Sequence, residues 1–369
     1  MKVRIAVAIA VIQAFLLAIH WFIYQTWVSF CPSLSPSVLL ALRTALLLLA
    51  FSFISVTMLG FRFAGRLVTL LYTIAAVWLG LLNYFFWAAC LCRLASFALE
   101  LLKLNIDRPL IAYTFFSLAL VTSLYGLVNA RLIRIRRIPV LFPGLPASWR
   151  GRTALVVSDL HLGHVNGAGF SRRIAALATN LNPDIILFPG DLFDGGKAEA
   201  AALVEPFRAL APPLGSYFST GNHDEFGNVA LYGEVLTGVG IRVLANEKVT
   251  VDGLEIAGVS HGDSGHPIRL LATLENMQLV PGRASILLNH VPSGLAQAEQ
   301  AGISLQISGH THCGQFIPFT WVTRRVFGRF TYGLQRFGAL QVYTSSGAGT
   351  WGPPMRVGTR PEVALLTFE

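Results

Sequence analysis

Apolar residues follow two rhythms along this chain. In the first third they run on almost unbroken: Val3 to Trp27, Val38 to Leu59, Val68 to Leu91 and Pro109 to Ala130 each reach the roughly 20 residues a helix needs to cross a bilayer core. About four transmembrane helices are expected in residues 1–130. Beyond Gly151 the apolar runs shorten to strand length and alternate with stretches of helical period. Ala154 to Ser158 and Ile185 to Phe188 read as strands, and Phe170 to Leu181 and Ala198 to Leu210 as helices. Further strands are expected at Tyr217 to Ser219, Ile241 to Leu244, Val249 to Val251, Leu254 to Val259, Ile286 to Leu288, Leu305 to Ile307, Leu340 to Thr344 and Val363 to Phe368. The alternation implies an α/β fold, an α/β/β/α sandwich of two mixed sheets flanked by helices, over residues 151–369. Residues 131–150, basic and then rich in proline and glycine, read as a juxtamembrane linker lying along the membrane surface.

Composition agrees with a bilayer. Of the 369 residues, 54% are hydrophobic and 13% charged, too apolar for an ordinary soluble protein. A cleaved signal peptide is the alternative for the first segment, but the run is longer than an h-region and three similar runs follow. Lys2, Arg4, Arg62, Arg66 and the Arg131 to Arg137 cluster fall on one side of the four spans, which places both termini and the globular half in the cytoplasm. The net charge of +9 comes from the membrane half and this cluster, so it points to anionic headgroups, and no nucleic-acid partner is expected. Cys31, Cys90, Cys92 and Cys313 show no pairing pattern and are expected to be reduced thiols.

Five blocks carry the candidate chemistry: Asp159-Leu160-His161, Gly190-Asp191, Gly221-Asn222-His223-Asp224, His290 and Gly309-His310-Thr311-His312. Each follows an apolar run that reads as a strand, and each offers oxygen or imidazole donors suited to hard or borderline divalent cations. Two such ions make phosphoester hydrolysis tractable by supplying hydroxide near neutral pH and by holding phosphoryl oxygens in line. A bridging carboxylate is needed between them, and Asp191 is the natural one. The Asp-x-His and His-x-His spacings send both members of each pair to one side if the backbone is extended.

These ordered blocks resemble the calcineurin-like metallophosphoesterase superfamily from about Gly151 onward, within it the membrane-anchored bacterial branch of phosphodiesterases and some lipid A pathway pyrophosphatases. Ser158 to Gly163, Gly309 to Gln315 and Arg360-Pro361-Glu362-Val363 add to the likeness. The resemblance implies one metal held by Asp159, His161, Asp191 and His312, and a second by Asp191, Asn222, His290 and His310. Mn²⁺ is the implied ion, with Fe or Zn²⁺ as alternatives. It also implies attack by a hydroxide held between the metals, with His223 as proton donor beside the leaving oxygen. Asp194 is the candidate for orienting His223, and Asp224 competes for that role. The substrate is expected to be a phosphodiester or pyrophosphate, lipid-linked or nucleotide-linked.

Rival readings are weaker. Protein phosphatases of this superfamily carry arginine where this chain has Gly195 and Thr220. Leu192-Phe193-Asp194 resembles DNA repair nucleases, but no DNA-capping segment is visible. A sensor that only binds would be expected to have lost a ligand or His223, and none is missing. His164, His261 and His266 read as surface or rim residues, Cys313 as packing, and Arg43 as a snorkelling side chain. His20 is expected at the interface or bonded to a neighbouring helix, the alternative being a functional pathway. Phe316 to Phe337 interleaves aromatic residues with Arg324, Arg325, Arg329 and Arg336. It reads as core with a basic face, as a nucleic-acid platform or as a membrane-facing lip.

Overall fold

The structure, a computed structural model, describes residues 2–196 and 199–369 and divides into two units. Unit one comprises Met1–Val128 with Gly352–Met355, and unit two Asn129–Trp351 with Arg356–Glu369. The side chains of Lys2 and Arg4 lie outside the described residues, as does Ala198.

Unit one holds α1 (Lys2–Phe30), α2 (Pro36–Gly60), α3 (Arg66–Leu101) and α4 (Arg108–Asn129), each long and apolar enough to cross a membrane. Side chains such as Phe15, Leu48 and Leu67 are exposed, as lipid-facing positions require, while α3 turns the small residues Ala75, Ala76, Gly80, Ala88 and Ala89 inward so that helices can approach closely. α3 runs ten residues past the expected Leu91 because Arg93 finds partners within the bundle. It donates to Gln25 O at 3.1 Å and stands 5.7 Å from the centre of the Phe30 ring. His20 bonds to a neighbouring helix. Trp78 Nε1 donates to its Nε2 at 2.9 Å and its Nδ1 meets Leu16 O at 2.7 Å, so both ring nitrogens are satisfied within the bundle. Arg43 is exposed on α2.

Unit two opens with β1 (Arg134–Val140) and β2 (Thr153–Val156), then α5 (Ala168–Leu181), β3 (Ile185–Phe188), α6 (Ala200–Val204), β4 (Ser216–Phe218), α7 (Asn222–Phe226), α8 (Val229–Gly238) and β5 (Ile241–Val243). The second half runs β6 (Glu247–Val251), β7 (Leu254–Gly258), α9 (His261–Ser264), α10 (Pro267–Asn276), β8 (Ser285–Leu288), α11 (Leu295–Gln300), β9 (Leu305–Ser308), α12 (Phe319–Phe327), β10 (Gly333–Phe337), β11 (Leu340–Thr344) and β12 (Glu362–Phe368). One sheet has the order β1-β12-β2-β3-β4-β5 and the other β10-β11-β9-β8-β7-β6, both mixed. Alternation along each strand sorts the core. Ala154, Val156, Ile185 and Leu187 meet Ile256, Ile286, Leu288 and Ile307 of the other sheet between the layers. Leu155, Ile186 and Phe188 face the other way, onto Ile174 of α5 and Leu236 of α8. The expected α/β/β/α sandwich is present.

The linker reading is corrected. Arg134–Val140 is an edge strand, paired in parallel with β12 from Arg134↔Glu362 to Val140↔Phe368. Its basic composition hides it, because Arg134, Arg136 and Arg137 point to solvent while Ile138 and Val140 pack inward. Pro139 is tolerated because only one side of the strand is paired. At the start of unit two, Asn129 Nδ2 donates to Arg356 O at 2.9 Å and to Thr359 O at 2.8 Å.

Candidate metal centre

All five blocks lie just past the carboxyl ends of parallel strands, β2, β3 and β4 in one sheet and β8 and β9 in the other. Such strand ends are where α/β folds place ligands, because side chains from several loops converge there. They do so here around buried Asp159, His161, Asp191, His290 and His312. Two groups of ligand atoms form, Asp159/His161/His312 and Asp191/His290/His310, the atoms of each lying within 4.8 Å of one another. A third such group is His161/Asp194/His223.

How the pairs converge differs from the expectation. Asp159 (φ 54°), His161 (φ 47°), His310 (φ 67°) and His312 (φ 45°) are left-handed, as is Asp191 (φ 51°), so alternation along an extended strand is not what aims them. Each positive φ in a non-glycine residue costs roughly 1–3 kcal/mol and persists only where surroundings enforce it. The enforcing contacts are visible. Asp159 N donates to Gly190 O at 3.1 Å, and His161 N to Asp191 O at 3.0 Å. Asp159 also accepts from Ser158 Oγ and, at 2.9 Å, from His310 N, tying the first block to the last. Gly221 and Gly309 are required by close approach, since a methyl group would run into the carboxylate of Asp191 at one and of Asp159 at the other.

Asp191 sits between the groups. Its Oδ2 lies 3.1 Å from His290 Nε2 and 3.7 Å from His161 Nε2, while Oδ1 accepts from His223 N at 2.8 Å. His161 Nε2 and His312 Nε2 face each other at 3.0 Å, and Asp159 Oδ1 is 3.3 Å from the latter. His310 Nδ1 is 3.0 Å from Asn222 Oδ1. His290 Nδ1 meets Pro189 O at 3.0 Å, which turns its buried Nε2 into the site toward Asp191 Oδ2. Imidazole nitrogens turned toward one another and toward carboxylates, with a backbone carbonyl behind one of them, make a donor set that fits divalent cations.

The two carboxylates that compete to orient His223 make different contacts. Asp194 Oδ1 is 3.3 Å from His223 Nδ1 and equally 3.3 Å from His161 Nδ1. Asp224 instead accepts from the backbone N–H of Asp191 (2.7 Å), Phe193 (2.9 Å) and Gly221 (2.8 Å), so it staples two blocks together.

Charge is shared unevenly. Burial alone would raise Asp191, but the His290 and His161 imidazoles hold its carboxyl well below the usual range. Burial pulls His290 down, and Asp191 outweighs it, leaving His290 pushed up to about 9. Burial and the His290 charge push His310 down to about 3. Burial and the neighbouring Asp191 push Asp224 up to about 7.

Several neighbours escaped the sequence. Arg356 is fully buried, with Nη2 on Ser346 O (2.7 Å), Gly349 O (2.7 Å) and beside His312 Nδ1 (3.3 Å). A lone arginine in a glycine-rich tail gave no signal. Trp351 and Phe226 stand 5.9 Å and 5.3 Å from the His223 ring, and Phe327 stands 5.9 Å from that of His310. His164, read as surface or rim, is buried. His261 does lie at the rim, 6.3 Å from His290, and His266 is exposed. Burial raises the Cys313 thiol, which keeps it a poor ligand. Leu192 and Phe193 are core, with Phe193 stacked on Tyr232 at 4.0 Å.

Residues 152–314 match the family described as calcineurin-like phosphoesterase. A transmembrane protein with metallophosphoesterase domain from Danio rerio is 33% identical over 267 residues, covering 68% of this chain and 60% of its own length. One of the same description from Bos taurus is 31% identical over 270 residues with the same coverage. The chain thus spans about three fifths of these two curated relatives. An uncharacterised metallophosphoesterase of Campylobacter jejuni is 26% identical, covering 73% of this chain and 71% of the relative. Relatives therefore occur in animals as well as bacteria. Behind four long apolar helices, residues 152–314 form a domain of the calcineurin-like phosphoesterase family.

Proposed function

We propose that the chain is a membrane-bound phosphoesterase that hydrolyses a phosphodiester or pyrophosphate bond with two divalent cations. The observation that carries this reading is the gathering of donors from the ends of β2, β3, β8 and β9 into two groups, Asp159/His161/His312 and Asp191/His290/His310, with Asp191 3.7 Å from His161 across them and Asn222 3.0 Å from His310. Asp159, His161, Asp191 and His312 would hold one ion, and Asp191, Asn222, His290 and His310 the other. The oxygen and imidazole donors suit Mn²⁺, with Fe or Zn²⁺ as alternatives. Bound there, the ions supply hydroxide near neutral pH and polarise the phosphoryl oxygens. His223, at the edge of the donor set, gives a proton to the departing oxygen from Nε2, while Asp194 fixes its ring from Nδ1. The substrate is lipid-linked or nucleotide-linked, and the basic residues flanking the spans favour a cytoplasmic site.

The test is the purified full chain with Mn²⁺ and bis-p-nitrophenyl phosphate, followed by a panel of lipid-linked and soluble phosphoesters. Turnover should disappear on chelation. His223→Ala should lower it by about 10²–10⁴ with metal content unchanged. Full metal occupancy with no turnover on any ester would reduce the domain to a sensor.

A further inference from the structure

α12 buries none of its residues. Phe319, Val322 and Val326 share one side of it by helical spacing, and Trp321 stands further round the helix, between Arg324 and Arg325. Trp321 and Val326 are each 67% exposed and Val322 55%. Adjacent apolar side chains left in water mark a contact surface. The cations beside them narrow what that surface meets. Arg324, Arg325 and Arg329 are exposed, and residues 316–337 contain no Asp or Glu. Exposed tryptophan and valine side chains interleaved with arginines on one helix match the composition of helices that lie in a membrane interface.

Its two ends say where it lies and what it leads to. Just before α12, Ile317 N donates to Val357 O at 3.2 Å. The same strap, Arg356–Thr359, accepts both amide hydrogens of Asn129, the last residue of α4. α12 therefore starts beside the strap that holds Asn129, the residue with which unit two begins. At its other end stands Phe327, beside the His310 ring.

We propose that α12 is an in-plane membrane contact, laying Phe319, Trp321, Val322 and Val326 into the headgroup layer of an anionic bilayer with Arg324, Arg325 and Arg329 on lipid phosphates. An amphiphilic phosphoester then reaches the metal centre past Phe327. This second step rests on the phosphoesterase reading; the contact itself does not.

The full chain carrying p-benzoylphenylalanine in place of Val322 is reconstituted into vesicles of phosphatidylglycerol or of phosphatidylcholine and irradiated. A photoprobe in place of Ile268, exposed on α10, is the control. Lipid capture at 322 should exceed that at 268 several-fold and be greater in phosphatidylglycerol. Arg324→Ala, Arg325→Ala and Arg329→Ala should each lower it by about fivefold, the equivalent of about 1 kcal/mol per charge near the surface. Capture no greater than at 268, or capture of a second copy or another protein in place of lipid, overturns the proposal. Turnover of bis-p-nitrophenyl phosphate in the same vesicles reads the other claim. Lipid capture without turnover would count against the phosphoesterase and leave the contact standing.

Discussion

Asp191 and Asp194 are three residues apart, and their surroundings divide their work. Asp191 lies between both groups of imidazoles, whereas Asp194 stands behind His161 and His223 on their Nδ1 sides. Asp191→Asn should therefore strip bound metal and nearly all turnover, with the thermal transition of the metal-free protein little changed. Asp194→Asn should leave metal in place yet lose about 10–100-fold in activity, because outer partners of ligating histidines tune and orient them. Metal analysis beside kinetics separates the two, and equal metal loss in both variants would reject the division. A second expectation concerns protons. His290 has its pKa raised to about 9 in the metal-free protein, so at neutral pH it holds a proton that a cation at Nε2 must expel. Mn²⁺ binding should release close to one proton at this residue, and its affinity should fall about tenfold per pH unit below about 9. Calorimetry in buffers of different ionisation heat checks this; proton-neutral binding would refute it.

At the scale of elements, the sequence is most legible where one side of a segment is uniformly apolar. The strands that end in the five blocks are central and buried, so Ile185 to Phe188 and Leu305 to Ile307 could be read directly. Edge strands divided: β5 and β6 were read from Ile241 to Leu244 and Val249 to Val251, whereas β1 and β10 were not. β1 and β10 carry arginines on their open faces, which suits a sheet border but erases the apolar run by which a strand is recognised. The site was legible as a set of residues and illegible as a geometry. Spacing named the donors, but their aim comes from left-handed turns held by hydrogen bonds between blocks far apart in sequence. Arg356 was hidden for the same reason, since its partners are backbone carbonyls of its own tail and of His312.

At the scale of the whole molecule, the four helices and the phosphoesterase domain make different demands. Orientation is the expectation that joins them. With Arg62, Arg66 and the cluster from Arg131 to Arg137 held inside, a fluorescent protein fused after Glu369 should fold and light in the cytoplasm of a bacterial host. Alkaline phosphatase fused at the same place should stay inactive. The reverse pattern would move the site to the opposite face of the membrane. The pairing of β1 with β12 also bears on how unit two can be prepared by itself. A fragment trimmed at Gly151, where the apolar rhythm changes, would strip the sheet of its border and bare seven consecutive residues of β12. Such an unguarded rim recruits neighbouring molecules, so the shorter fragment should clump where one beginning at Asn129 stays dispersed.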